Sequence, residues 1–201
     1  MKRTLVLYGL GVLAAILFFP SCFYPEAFTA KLNIDKNGSY SFVFDGTLVF
    51  LTFEQPKDEP LLTDQDPVKI RQLEEQLKND NNFKEIKYAG KGRFKVLYRQ
   101  EGVIKPGSKI TLMANFCEIL RILPGQPGTI IINGVNLDDL NLEYLKKVNL
   151  HLEGKLTITT NARVIRHNAD RSPWFFGFPE AYEWQITFSP FPGPWMLLEL
   201  K

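Results

Sequence analysis

Two imidazoles are available for chemistry in this sequence, His151 and His167. His167 opens the run His167-Asn168-Ala169-Asp170, so a catalytic or metal-binding centre would group His167 with Asp170. Two side chains in one loop fall short of the three protein ligands of an open metal site. No nucleophile elbow of the G-x-S-x-G kind occurs either. The same four residues suit a turn in which Asn and Asp bond back to backbone. His151 falls on the polar side of an alternating stretch, which predicts a solvated ring. Cys117 ends the apolar run Met113-Ala-Asn-Phe-Cys with no histidine nearby, which fits a small buried hydrophobe better than a nucleophile. No cofactor and no metal are expected, and the chain reads as non-enzymatic. A hydrolase centred on His167 and Asp170 is the alternative.

The other thiol, Cys22, has a different context. Lys2 and Arg3 are followed by an uncharged run from Leu5 to Phe19, closed by Pro20. That run is short of the ~20 residues a bilayer span needs and has the length of a signal-peptide core. Phe19-Pro20-Ser21-Cys22 resembles a bacterial lipobox, with small Ser21 before the cysteine and Phe19 where Leu is usual. The expected organisation is a signal peptide over 1–21, a lipid anchor and tether over 22–27, and a single domain over 28–201. Acyl chains on Cys22 would hold the protein to the membrane, each buried methylene contributing about 0.8 kcal/mol. Ordinary cleavage nearby, with Cys22 a plain residue, is the other reading. By resemblance to lipoproteins of Gram-negative bacteria, Phe23 after the cysteine, where Asp would signal retention, implies the outer membrane, facing the periplasm.

Cleavage before Cys22 removes Lys2 and Arg3 and no acid. The Lys and Arg count falls from 24 to 22, equal to the 22 Asp and Glu, and the formal charge is zero. A neutral domain has no electrostatic footprint for nucleic acid. The remaining length suffices for one domain with a sizeable core.

The elements that would position any site are mostly strands. Phe28, Ala30, Leu32 and Ile34 alternate with polar residues; Asn37-Gly38 is a hairpin signal. Tyr40, Phe42 and Phe44 continue the alternation. Asp45-Gly46 marks a second turn or a bulge, giving a three-stranded meander over Phe28 to Phe53. Asp66-Pro67 starts a helix with Ile70, Leu73 and Leu77 on one face. A hairpin follows, turning at Ala89-Gly90-Lys91-Gly92. Further strands flank the turn at residues 124–128. Asn136 can cap a second helix, with Leu137, Leu140, Tyr144 and Val148 on one face. From Val148 the period becomes two and runs through Ile158, with Gly154 a bend or bulge. Strands at Tyr182–Phe188 and Trp195–Leu200 complete the chain. The expected fold is α+β, a mainly antiparallel sheet of about nine strands with two helices.

Two surfaces stand out. Lys84, Lys87, Lys91, Arg93, Lys95 and Arg99 share the outward side of the third hairpin. They form either a patch for anionic headgroups or a solvated face that discourages edge pairing. Trp174, Phe175, Phe176 and Phe178 crowd into a segment between strands. Exposed, they would make an apolar patch for a lipid, membrane or partner; folded back, they would be a flap that completes the core.

Two stretches carry a family resemblance, Ala30 to Leu48 (AKLNIDKNGSYSFVFDGTL) and Gly154 to Ala169 (GKLTITTNARVIRHNA), with Tyr182-Glu-Trp-Gln-Ile closing. Their order resembles a group of uncharacterised proteobacterial lipoproteins and is more distantly similar to the LppM-type lipoproteins. The resemblance implies lipid handling at the cell envelope and no catalytic signature. The expected function is therefore a membrane-anchored protein that binds a lipid or other envelope component, through Trp174, Phe175, Phe176 and Phe178. A structural part of an envelope protein assembly is the alternative.

Overall fold

The computed structural model describes residues 23–50, 66–114, 116–134, 150–173, 181–187 and 193–201. Strand β1 (Phe23–Ile34) sits inside a six-stranded sheet. Alternation buries Phe28, Ala30, Leu32 and Ile34 and turns Thr29, Lys31 and Asn33 to solvent. Strand β2 (Ser39–Phe50) returns antiparallel through the Asn37-Gly38 turn. There Gly38 takes φ 86°, and the Asn37 side chain accepts from the Ser39 amide at 2.9 Å. Asp45-Gly46 is not a turn. β2 runs straight through it, so two long strands replace the expected three-stranded meander. The irregularity lies on the partner instead, where β1 bulges between Pro25 and Phe28 opposite Gly46. A Cβ at Gly46 would collide with the Phe28 Cβ and the Ala27 carbonyl oxygen, so the residue is glycine because the strands approach closely.

On its other side β1 pairs in parallel with β8 (Glu153–Thr160), from Ala27 opposite Glu153 to Ile34 opposite Thr160. A parallel pair needs a long crossover, and here most of the chain intervenes. Gly154 is neither bend nor bulge: the Phe28 ring occupies the place its side chain would need. The sheet is completed by the hairpin β3 (Phe83–Gly90) and β4 (Arg93–Val103) on one side and β10 (Ala181–Thr187) on the other. Its order is β10-β8-β1-β2-β4-β3.

A second, wholly antiparallel sheet contains β5 (Ile110–Leu112), β6 (Leu120–Pro124), β7 (Thr129–Gly134), β9 (Arg163–His167) and β11 (Trp195–Glu199). Its order is β5-β6-β7-β11-β9. Leu112, Ile122, Ile132, Met196 and Leu198 from this sheet share one apolar core with Phe42, Phe44 and Phe94 from the first. Helix α1 (Pro67–Lys78) begins as its sequence requires. The Asp66 carboxylate accepts from the Lys69 amide at 3.1 Å, and Pro67 occupies the first turn. Leu73 and Leu77 enter the core, and α1 lies against β3.

The fold is α+β and mainly antiparallel, but the described residues contain one helix, not two. The second, expected from Asn136 to Val148, falls in 135–149, outside the described residues. Amphipathic spacing over so short a stretch is weak warrant, because such a helix is held by the surface it packs on rather than by the spacing itself. Among the described residues no helix is long and apolar enough to cross a membrane.

Candidate functional site

The run from His167 to Asp170 leaves the end of β9 and crosses to the other sheet. His167 Nδ1 accepts from the Ala169 amide at 3.1 Å, and its ring stands edge-on to Tyr182, 4.7 Å between centroids. Asp170 accepts from the Gln185 amide of β10 at 2.7 Å, while its own N–H donates to the Glu183 carbonyl at 3.0 Å. The imidazole and the carboxylate thus serve different neighbours, and the structure does not join them into a centre. Among the described residues no three of His, Cys, Asp and Glu are grouped to hold a metal ion.

The residue between them does more. Asn168 Oδ1 accepts from the Trp184 indole at 2.9 Å and from the Trp195 amide at 2.7 Å; its Nδ2 donates to the Gly193 carbonyl at 2.9 Å. One side chain therefore fastens β10 of the first sheet to the start of β11 in the second. Sequence reasoning passed over Asn168 because its partners lie 16 to 27 positions away. The only signal was an Asn beside a strand end.

Two chemical candidates remain. His151 is exposed and lies just before β8. Cys117 is buried, and burial pushes its thiol pKa well up, so the thiolate that would react is suppressed.

The basic hairpin is less of a patch than the sequence implies. Arg93 is held by Glu26 of β1 through two hydrogen bonds, 2.8 and 2.7 Å. That bond raises the guanidinium pKa further, against a smaller opposing effect of burial. The Lys84 ammonium donates to the Asn81 carbonyl at 2.9 Å. Lys87 stands directly opposite Lys95. Since β3 is the edge of its sheet, lysines there discourage a further strand from adding.

Two cavities deserve chemistry. The larger, about 490 Å³, lies by the β1 bulge and is lined by Thr29, Asp45, Thr47, Lys95, Glu153 and Lys155 among others. It carries both signs of charge, and Lys155 is already paired with Glu183 at 2.6 Å. The smaller, about 40 Å³, opens between the sheets among Phe28, Leu120, Leu152, Leu156, Ile186 and Pro194. Its lining suits hydrocarbon.

Cys22 and the aromatic residues Trp174, Phe175, Phe176 and Phe178 lie outside the described residues. Their attachment points are described. Phe23, the neighbour of Cys22, begins β1. Ala181, on the far side of the aromatic run, begins β10 opposite Thr159, which is in turn opposite Asn33 of β1. At 3.3 Å per residue, ten positions of β1 separate the two points by about 30 Å.

No family model matches the chain, and no curated protein matches it significantly. Among solved structures the chain is similar to the folded domain of LppM from Mycobacterium tuberculosis, determined by NMR. The two are 13% identical over 90% of this chain and 92% of that one, with a TM-score of 0.39.

Proposed function

We propose that the chain is an exported lipoprotein of a bacterial cell envelope, anchored through lipid on Cys22, that binds a lipid or other envelope component without catalysis. The observation that carries this reading is the leader: a positive start, an uncharged run too short to span a bilayer, and a cysteine immediately ahead of the first strand. The geometry at His167 and Asp170 supports the non-catalytic part, since His167 accepts from Ala169 within its own loop while Asp170 accepts from Gln185 of β10, so the two serve different neighbours. Trp174, Phe175, Phe176 and Phe178 are the proposed ligand contacts.

Two measurements test it. Intact mass of membrane-extracted protein is expected to show a diacylglyceryl adduct at Cys22, and Cys22→Ser is expected to leave the membrane fraction. Trp174→Ala with Phe176→Ala is expected to lower the lipid recovered with the purified protein several-fold while the far-UV spectrum stays folded. Unfolding of that double variant would assign the rings to the core. Recovery of a protein partner in place of lipid would favour the assembly reading.

A further inference from the structure

We propose that the end of the sandwich around Phe23 lies directly on the anchoring bilayer, with Val68, Lys69 and Lys91 at the level of its anionic headgroups. The inference rests on the anchored reading above and adds the orientation. Its basis is the distance between anchor and fold. Phe23 follows Cys22 in sequence, is only 2% exposed, and packs against Phe50, Phe94 and Phe116 with centroids 5.3, 5.9 and 6.2 Å away. One Cα–Cα step of about 3.8 Å therefore separates the lipid-bearing residue from the core. A flexible ten-residue tether would give an r.m.s. reach of about 17 Å and free tumbling; residues 23–27 are instead the first part of β1.

The residues that share this end follow from pairing. Phe23 lies opposite Phe50, whose N–H donates to the Gly92 carbonyl at 2.9 Å. The β3–β4 turn is thus placed at the anchor. Lys91 at its tip has φ 51°, between Gly90 at 89° and Gly92 at 74°. A long cation is kept at a left-handed position where glycine would be unstrained. On the other side of Phe50, the Lys69 ammonium lies 5.8 Å from the ring centroid, which brings in the first turn of α1. Its neighbour Val68 is 65% exposed, an apolar side chain with cations beside it. Among the described residues, Glu26 holds Arg93, Asp66 caps α1, and Glu118 pairs with Arg121. An exposed valine with Lys69 and Lys91 at the same end suits the surface of an anionic bilayer. With this end down, β1 rises away from the membrane, and the start of β10, where the aromatic run joins the fold, faces away from it.

The test uses the full-length acylated protein in phosphatidylethanolamine–phosphatidylglycerol vesicles carrying a headgroup-level quencher. An environment-sensitive fluorophore is placed singly at Val68→Cys, Lys91→Cys, Lys36→Cys or Gln126→Cys. Buried Cys117 and acylated Cys22 do not compete for the label. Quenching is expected to be several-fold stronger at 68 and 91 than at 36 and 126. Lys69→Glu with Lys91→Glu is expected to bring quenching at 68 down toward the level at 36. Equal quenching at both ends, stronger quenching at 36 and 126, or no effect of the charge reversals overturns the proposal. Failure of the anchor looks different: an unmodified Cys22 by intact mass and a protein that washes off vesicles removes that reading and this one together. An acylated, vesicle-bound protein with unquenched 68 and 91 removes the orientation alone.

Discussion

The two ends of the sandwich are held by different chemistry. Around Phe23 the contacts are ring on ring. Phe23 meets Phe50, Phe94 and Phe116; Phe83 meets Phe116 at 5.0 Å; and Tyr88 meets Phe94 at 5.2 Å. Around Ile34, at the other end of β1, the contacts are hydrogen bonds across the chain. The Thr160 hydroxyl donates to the Ile34 carbonyl at 2.7 Å and accepts from the Ala162 amide at 3.0 Å. Asn161 accepts from the Lys36 amide at 2.6 Å and donates to Asp35 at 3.0 Å. The Lys201 amide donates to the Lys36 carbonyl, and that of Ile104 to the Gly38 carbonyl, each at 2.8 Å. Several segments meet there, and each brings backbone groups that must be paired. The difference is instructive. The polar end fixes register through directional bonds, whereas the aromatic end supplies burial that is indifferent to register. On the proposed orientation the end held by rings adjoins the bilayer and the end held by hydrogen bonds faces water.

That contrast can be broken by substitution. Phe23→Ala, by urea unfolding, is expected to cost about 4 kcal/mol, the range for a buried aromatic truncated to alanine. A cost near that of a surface substitution would mean the rings do not hold their end. Thr160→Val at the polar end keeps shape but removes a buried donor and an acceptor, and about 2 kcal/mol is expected. A neutral result would show that water replaces the hydroxyl. Tyr98 sharpens the comparison at high pH. Its ring packs against Phe83 at 5.0 Å and Phe42 at 6.3 Å, and its hydroxyl donates to Gln100 at 2.9 Å. Burial first, then the charge on Asp80, pushes its pKa from 10.0 up to about 12. The neutral phenol is favoured in the folded state. Its contribution is therefore complete below pH 10.0 and is lost as pH rises through about 12. Tyr98→Phe should lessen that loss in a chevron or melting series; an unchanged high-pH limb would assign the loss to other groups.

What was readable without coordinates was local. Alternation from Phe28 to Ile34 and from Tyr40 to Phe44 names the buried face, because successive side chains of a strand point to opposite sides. Asn37-Gly38 names its turn through the need for positive φ, and Asp66-Pro67 names a helix start through a carboxylate and a missing N–H. The misreadings share one cause. Gly46 and Gly154 look like turn or bulge residues from their neighbours alone, yet both are glycine on account of Phe28, which belongs to another strand. Asn168 looks like a loop residue, yet its three partners are on distant segments. Cys117 was read as a small buried hydrophobe from its apolar run, and it is buried in the core.

By itself the sequence determined the strand faces, the Asn37-Gly38 turn and the capped start of α1, all properties of residues within a few positions of one another. Only the tertiary structure decided that β1 takes β8 as its parallel partner, that two sheets rather than one enclose the core, and that Phe23 is already part of β1. Pairing across more than a hundred residues depends on how whole faces bury one another, and no window of neighbouring residues holds that information.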